Sequence, residues 1–219
     1  MSRKRTAILI SGRGSNMASL IEAAMDPAYP AEISLVVSSR PAAPGLQIAA
    51  KAGLNTVGLD HKAYATRDAF DAEIQSHLEA NGIELVCLAG FMRLMTAEFI
   101  NAWRDRIINI HPSLLPAYKG LDTHERVLRD GGRVSGCTVH YVRPEMDEGP
   151  IIAQAAVGVR ADDTPETLAA RVLAAEHRVY PMALKLVAGD SIRVTGDKAR
   201  FHGNETDAPA LISPALEGD

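Results

Sequence analysis

The sequence predicts an α/β fold in which an open, mostly parallel twisted sheet is flanked by helices. The main observation is that short β-rich apolar runs alternate with longer segments of helical periodicity along most of the 219 residues. A second observation is the composition, with 47% hydrophobic and 23% charged residues. Such a chain is ordinary globular material and is long enough to bury a sizeable core.

Seven runs are predicted to be strands because they are short, apolar and bounded by turn-forming residues. They cover residues 6–11, 33–39, 55–59, 84–89, 106–111, 137–142 and 151–159. Six segments with apolar residues at helical spacing are predicted to be helices. They cover residues 15–26, 44–52, 66–81, 96–103, 122–130 and 165–187.

The last helix has the clearest start signal. The run Asp163-Thr164-Pro165-Glu166 supplies a capping residue, a proline in the first turn and an acid early in the helix. After this helix, residues 191–201 are expected to form a hairpin that turns at Gly196-Asp197. We expect one domain over residues 1–204 and a loose C-terminal tail over residues 205–219.

Charge and cysteine content narrow the class of function. The net charge of −4 argues against a broad nucleic-acid-binding surface. Cys87 and Cys137 lie in apolar runs without metal-ligand spacing, so we expect reduced, buried thiols of a cytoplasmic protein. The basic N-terminus precedes an apolar run too short for a signal peptide, and no window resembles a membrane span. We therefore expect no membrane partner.

The predicted strand at 106–111 carries two polar side chains. Asn109 and His111 share one face, while Ile108 and Ile110 share the other, because successive strand residues point to opposite faces. Pro112 should end the strand and leave His111 at the carboxyl edge of the sheet, where open α/β sheets keep their active sites. The alternative is a core histidine and asparagine satisfied by backbone hydrogen bonds.

The turn after the first strand contains two glycines and opens a helix. The N–H groups of Gly14, Ser15 and Asn16 could point at an anion, with phosphate as the obvious candidate. The turn lacks the third glycine of the dinucleotide fingerprint and the Gly-Lys-Ser/Thr of a Walker A loop. A plain glycine turn capped by Ser15 or Asn16 is the alternative.

Three carboxylates, those of Glu145, Asp147 and Glu148, lie between the last two predicted sheet strands. Such a cluster is usually a solvated turn. However, Gly149-Pro150 fixes the path of the loop, so one carboxylate could face Asn109 and His111 and orient the imidazole or accept a proton.

Two further polar residues and one apolar loop complete the candidates. His140 is expected to support the site by hydrogen bonds. A Ser-His-Asp arrangement using Ser113 is disfavoured because the chain has no Gly-x-Ser-x-Gly elbow. Residues 91–95 form an apolar loop with one cation, which either packs in the core or holds a flat aromatic ligand.

Five motifs occur in an informative order. They are Ser11-Gly-x-Gly-Ser-Asn16, Leu88-Ala-Gly-Phe-Met-Arg93, Asn109-Ile-His-Pro-Ser-Leu-Leu-Pro116, Gly120-Leu-x-Thr-His124 and Met146-Asp-x-Gly-Pro-Ile151. From about residue 6 to 188 the chain resembles the phosphoribosylglycinamide formyltransferases of the folate-dependent formyltransferase family. The His-Pro-Ser-Leu-Leu-Pro block is shared with formyltransferases acting on methionyl-tRNA and with formyltetrahydrofolate hydrolases, whereas the first motif and the short chain favour the purine enzymes.

The resemblance implies a Rossmann-like formyltransferase fold and transfer of the formyl group of 10-formyltetrahydrofolate, the co-substrate, to the amine of glycinamide ribonucleotide. The products are formylglycinamide ribonucleotide and tetrahydrofolate, in de novo purine biosynthesis. Transfer would be direct, through a tetrahedral intermediate, without a metal. The alternatives are a formyltetrahydrofolate hydrolase (deformylase), in which water replaces the amine, and a non-catalytic phosphoribosyl- or folate-binding regulator.

The resemblance also assigns residues. The catalytic group is Asn109, His111 and Asp147, and the ribonucleotide group is Gly14, Ser15, Asn16 and Glu176. The folate group is Arg67, Met92, Arg93, Leu94, Met95, Asn109, Arg143 and Asp147. Residues 1–104 would then be the phosphate-binding half and residues 105–204 the catalytic and folate-binding half, in a monomer or homodimer whose partners are these small molecules and not nucleic acid.

Two positions depart from the pattern of the family. Leu94-Met95 replaces the more usual Ile-Leu, which conserves volume. Leu173 stands where some members carry a polar residue, which puts one contact with the ribonucleotide in question.

Overall fold

The computed structural model describes residues 2–203 and 211–213. Within these residues, seven strands form one sheet in the order β3-β2-β1-β4-β5-β6-β7. They are β1 Lys4–Ile10, β2 Ala31–Ser38, β3 Asn55–Gly58, β4 Leu85–Leu88, β5 Ile107–His111, β6 Val134–Tyr141 and β7 Ile151–Gly158. The first five strands are parallel, whereas β6 runs antiparallel to β5 and β7 antiparallel to β6. The predicted fold class is confirmed.

The six predicted helices are present. They are α1 Ser15–Ala24, α2 Pro44–Lys51, α3 Arg67–Ala80, α4 Ala97–Ala102, α5 Thr123–Arg129 and α6 Pro165–Ala188. The predicted terminal hairpin is also confirmed, as β8 Ile192–Thr195 paired with β9 Lys198–Phe201. The predicted C-terminal tail lies mostly outside the described residues.

The sequence predicted some boundaries wrongly. β6 begins at Val134 rather than at residue 137, because Val134, Ser135 and Gly136 pair along β7. Backbone pairing therefore extends the strand through Gly136, a residue type that is depleted in strands. A short 3₁₀ helix, His61–Ala63, was not predicted; the Asp60 side chain accepts a hydrogen bond from the Lys62 N–H at its start.

The hydrophobic core occupies both faces of the sheet. Because strand residues alternate, Ile8 and Ile10 of β1 join one buried cluster, and Ala7 and Leu9 join the other. The first cluster includes residues of α1 and α6, and the second includes residues of α3 and α4. Helices thus cover the two faces and leave the carboxyl edge of the parallel strands for a site.

The last helix, α6, starts as predicted. The Thr164 hydroxyl accepts a hydrogen bond from the Thr167 N–H, and the Thr167 side chain returns one to the Thr164 N–H. Its 24 residues give a length of about 36 Å. In the part of the chain that the structure describes, neither this helix nor any other is both long and apolar enough to span a membrane.

Candidate active site

The candidate site lies where β1, β4 and β5 end. The order of the strands reverses between β1 and β4, which is the position at which open α/β sheets bind ligands. The Ser11 N–H donates to the Gly90 carbonyl at 3.1 Å, and the Met92 N–H donates to the Ser11 hydroxyl at 2.9 Å. These two bonds join the glycine turn after β1 to the apolar loop after β4.

The glycine turn leaves the start of α1 open. Gly14 is the N-cap residue in a left-handed conformation, with φ 76°, and no side chain caps the helix in the described structure. The alternative of a turn capped by Ser15 or Asn16 is therefore wrong. A Cβ on Gly14 would lie 3.1 Å from Gly45 Cα, and the positive φ is itself strained for any residue with a side chain, so glycine is favoured here. The first-turn N–H groups can thus receive an anion.

Asn16 and Glu176 meet beside this turn although 160 residues separate them. The Asn16 Nδ2 donates to Glu176 Oε2 at 2.6 Å. Burial raises the pKa of the Glu176 carboxyl, and the hydrogen bond from Asn16 lowers it in part. Leu173 is half-buried and lies one turn before Glu176 on α6. The fold therefore brings the residues assigned to the ribonucleotide to one place.

His111 is held at the end of β5 by two partners. Its Nε2 lies 3.0 Å from the Tyr118 carbonyl, and its Nδ1 lies 3.5 Å from Asp147 Oδ2. Because a carbonyl only accepts, Nε2 carries a proton and Nδ1 is the nitrogen facing the carboxylate. Asp147 has a left-handed backbone with φ 54°, and its Oδ2 accepts from the Gly120 N–H at 2.8 Å.

Only one of the three loop carboxylates enters the site. Glu145 is exposed, and Glu148 forms an exposed ion pair with Lys119 at 2.6 Å. The solvated-turn interpretation therefore applies to these two residues. A Cβ on Gly149 would lie 1.9 Å from the Tyr141 carbonyl oxygen, so this glycine lets the chain return close to β6 and carry Asp147 inward.

The other polar candidates have structural partners. Asn109 lies opposite His140 in the β5–β6 pairing, and its Nδ2 is 3.2 Å from His140 Nε2. Ser113 is buried, and its hydroxyl donates to the Ala117 carbonyl at 2.7 Å. A buried hydroxyl engaged in this way is not placed as a nucleophile, which removes the Ser-His-Asp alternative.

The residues assigned to the folate do not all lie together. Met92 and Leu94 are each 60% exposed, whereas Met95 is 9% exposed and packs in the core with Phe99. The core-packing alternative therefore applies to Met95, whereas Met92 and Leu94 leave apolar surface exposed.

Three cations were assigned to the folate with these residues. Arg67 is exposed at the start of α3, and Arg93 is exposed in the loop after β4. Arg143 is buried and bonds to Asp105, which precedes β5. Its guanidinium therefore points toward the amino end of β5, away from His111 at the carboxyl end.

Several groups of the site were not predicted from the sequence. The Tyr118 carbonyl and the Gly120 N–H hold His111 and Asp147. Their loop has positive φ at Tyr118, Gly120 and Asp122, and such backbone strain clusters at functional sites. His124 lies near His111, and burial, with the nearby His111, lowers its pKa. The Gly120-Leu-x-Thr-His124 motif was the available signal for this loop.

Comparisons with known proteins agree with this geometry. A family model described as formyl transferase matches residues 4–184. The phosphoribosylglycinamide formyltransferase of Escherichia coli (strain K12) is 37% identical over 196 residues, which cover 90% of this chain and 92% of that protein. The glycinamide ribonucleotide transformylase 1 of Symbiobacterium toebii has a solved structure with a TM-score of 0.88 and 44% identity, covering 91% of this chain and 94% of that one.

A longer relative is the trifunctional purine biosynthetic protein adenosine-3 of Gallus gallus. It is 48% identical over 193 residues, which are 88% of this chain but only 19% of that protein. This chain therefore spans about a fifth of the length of such trifunctional relatives. The match to the family model covers well over half of the chain and includes every strand of the main sheet. The chain belongs to the formyl transferase family.

Proposed function

We propose that this protein is a phosphoribosylglycinamide formyltransferase. It transfers the formyl group of 10-formyltetrahydrofolate to the amine of glycinamide ribonucleotide, giving formylglycinamide ribonucleotide and tetrahydrofolate in de novo purine biosynthesis. The observation that carries the proposal is the meeting, at one edge of the sheet, of the open turn at Gly14 with the cluster of Asn109, His111 and Asp147.

The ribonucleotide binds across α1 and α6. Its phosphate accepts hydrogen bonds from the N–H groups of Gly14, Ser15 and Asn16, where the helix dipole favours an anion. Glu176 faces the same turn through Asn16 and accepts hydrogen bonds from the ribose hydroxyls. With the phosphate and ribose fixed, the glycinamide amine extends toward the end of β5.

The folate binds between the loop after β4 and the loop of residues 143–149. Met92 and Leu94 offer apolar surface to the flat ring, and Met146, 56% exposed, faces it from the other loop. Met95 supports the first loop from the core. Arg67 and Arg93 are exposed cations, suited to the negatively charged end of a folate.

Catalysis uses charge stabilisation and proton transfer. The amine nitrogen bonds to the formyl carbon, and the formyl oxygen gains negative charge that the Asn109 amide and the protonated His111 stabilise. Asp147, near His111 Nδ1, accepts the proton of the attacking amine, directly or through water. Collapse breaks the carbon–nitrogen bond to the folate, whose nitrogen takes up that proton.

One assay tests the transferase against the hydrolase. The protein is mixed with 10-formyltetrahydrofolate, with and without glycinamide ribonucleotide, and release of tetrahydrofolate is followed. We expect release to require the ribonucleotide and formylglycinamide ribonucleotide to appear in equal amount. Release at the same rate without the ribonucleotide would show hydrolysis instead, and binding of both ligands without turnover would indicate a regulator.

The proposed site is contained in one chain, since its residues come from α1, β5, the 143–149 loop and α6. We therefore propose that each chain is active by itself, in a monomer or a homodimer. We also propose a cytoplasmic location, which the two buried, unpaired thiols of Cys87 and Cys137 support.

A further inference from the structure

His140 occupies a buried position in β6, beside the candidate catalytic group. It is 2% exposed and lies directly opposite Asn109 in the antiparallel pairing of β5 and β6. Both ring nitrogens have a partner. Nδ1 lies 3.0 Å from the Tyr141 carbonyl oxygen, and Nε2 lies 3.2 Å from Asn109 Nδ2.

The first contact determines where the proton of the ring lies. A backbone carbonyl can only accept a hydrogen bond, so His140 Nδ1 must be the donor. Burial lowers the pKa of His140, and the nearby His111 and Arg143 act in the same direction, against the Tyr141 hydrogen bond and Asp147. The ring is therefore neutral near pH 7, and Nε2 carries only a lone pair.

The second contact then determines the orientation of the Asn109 amide. The nitrogen and oxygen of an amide have nearly the same shape, so packing alone does not choose between the two orientations. A lone pair at His140 Nε2 requires a donor, which only the Asn109 NH₂ group supplies. One N–H is used in this bond, and the second N–H of the same group is left to donate elsewhere.

We propose that His140 is a positioning residue whose neutral, Nδ1-protonated ring orients the Asn109 amide so that its second N–H donates to the formyl oxygen. The kinetic part of this inference rests on the proposed function, whereas the protonation state of the ring does not. Without an acceptor at His140, the amide also populates the reversed orientation, which turns its carbonyl oxygen toward the developing negative charge.

The protonation state can be measured on the wild-type protein without any substrate. Two-dimensional ¹H–¹⁵N NMR of histidine-labelled protein reports which ring nitrogen carries hydrogen, and His140→Gln assigns the signal by its loss. We expect a neutral ring with hydrogen on Nδ1 at pH 7. Hydrogen on Nε2, or on both nitrogens, would overturn the proposal, whether or not the protein transfers formyl groups.

The orienting effect is tested with two variants. His140→Leu removes the acceptor at similar volume, whereas Gln can place an amide oxygen near the position of Nε2. We expect His140→Leu to lower kcat by at least about tenfold, but by less than the about 10²–10³ lost when a donor is removed altogether. Both KM values should stay within about twofold, and His140→Gln should recover part of kcat.

A double-mutant comparison separates positioning from a general loss of packing. If His140 acts only through Asn109, then His140→Leu should have no further effect on kcat in an Asn109→Ala background. The same fold loss in both backgrounds would contradict the proposal, as would wild-type kcat in a folded His140→Leu protein. If wild-type protein shows no formyl transfer, the proposed function fails, and the NMR result still decides the state of the ring.

Discussion

The turn after β1 and the cluster after β5 lie at the same edge of the sheet but are built differently. The turn presents backbone N–H groups of consecutive residues, and its shape depends on the left-handed Gly14. The cluster presents the side chains of Asn109, His111 and Asp147, which meet only when β5, β6 and the 143–149 loop pack. A backbone site is therefore sensitive to added atoms, and a side-chain site to removed ones.

The largest effect is expected in the side-chain cluster. Asn109→Ala removes a proposed oxyanion donor, which typically lowers kcat by about 10²–10³. Both KM values should change little, because the amide acts mainly in the transition state. Steady-state kinetics with each substrate varied in turn measures this split.

Asp147→Asn is the matched variant for the same cluster. It keeps the volume of the side chain but removes the charge near His111 Nδ1, so kcat should also fall with little change in KM. Asn109 and Asp147 are proposed to act on the same tetrahedral intermediate. The double variant should therefore lose much less kcat than the product of the two single fold losses. Strict additivity would mean that the carboxylate and the amide work independently.

The backbone turn should respond to an added methyl group instead. Gly12 is suited to this test, since a Cβ there meets nothing within 4 Å and the fold should be unaffected. If the ribonucleotide phosphate approaches the turn closely, Gly12→Ala should raise the ribonucleotide KM by about tenfold, or about 1.4 kcal/mol. The folate KM and the melting temperature serve as internal controls.

Gly14→Ala gives the contrast within the turn. Because of its φ of 76° and the 3.1 Å distance from an added Cβ to Gly45 Cα, this variant should lose thermal stability as well as affinity. Equal rises in both KM values for Gly12→Ala would place the anion site elsewhere.

A smaller effect is expected at the residue that links the two regions through the core. The Tyr180 hydroxyl of α6 lies 2.9 Å from the Leu88 carbonyl in β4 and 3.2 Å from the Ile108 carbonyl in β5. Tyr180→Phe removes the hydroxyl donor from these two buried carbonyls. The free energy of unfolding should therefore fall by about 1–3 kcal/mol. Chemical denaturation measures this cost.

Tyr29→Phe provides the control for Tyr180→Phe. Its hydroxyl also donates to a carbonyl, that of Pro181, but this bond joins the α1–β2 connection to α6 and does not reach β4 or β5. A loss of kcat in Tyr180→Phe but not in Tyr29→Phe would show that the bridge between β4 and β5 helps to place Asn109.

The smallest effect concerns the pH dependence of stability at Glu176. Burial raises the pKa of this carboxyl above its ordinary value of 4.5. Its stabilising contribution to the free energy of unfolding is therefore complete below pH 4.5 and is lost as the pH rises through the folded-state pKa. Glu176→Gln keeps an acceptor for Asn16 without the charge. Its melting temperature should match wild type near pH 4 and exceed it near pH 8, while ribonucleotide affinity falls. An equal or lower melting temperature at pH 8 would contradict this account.

The local parts of this molecule could be predicted from the sequence. The Thr164–Glu166 start signal, the 196–197 hairpin turn and the glycine turn after β1 each depend on neighbouring residues, and the structure contains all three. Pro112 likewise marks the end of β5, whose last residue is His111.

Other parts depended on contacts that no local pattern encodes. The destination of the Arg143 side chain was not predictable, because Asp105 lies 38 residues away. Met95 and Leu94 differ in burial although both are apolar and adjacent, since only the fold decides which one meets α4. The contact between Asp147 and His111 could be suggested but not established from the sequence. It requires a left-handed backbone at Asp147, which no local sequence pattern predicts.

The hairpin topology of β6 and β7 has a consequence for engineering this protein. Tyr141 donates its N–H to the Pro150 carbonyl, so the loop between them leaves the sheet and returns to it at one point. Segments closed in this way can change length at little entropic cost, about 0.6 kcal/mol for each doubling. Residues 144–146 could therefore be exchanged or extended to reshape the proposed folate surface, provided that Asp147 and Gly149 are retained. The turn at Gly14 offers no comparable freedom, because the Gly45 N–H donates to the Gly12 carbonyl and Gly14 has a left-handed backbone.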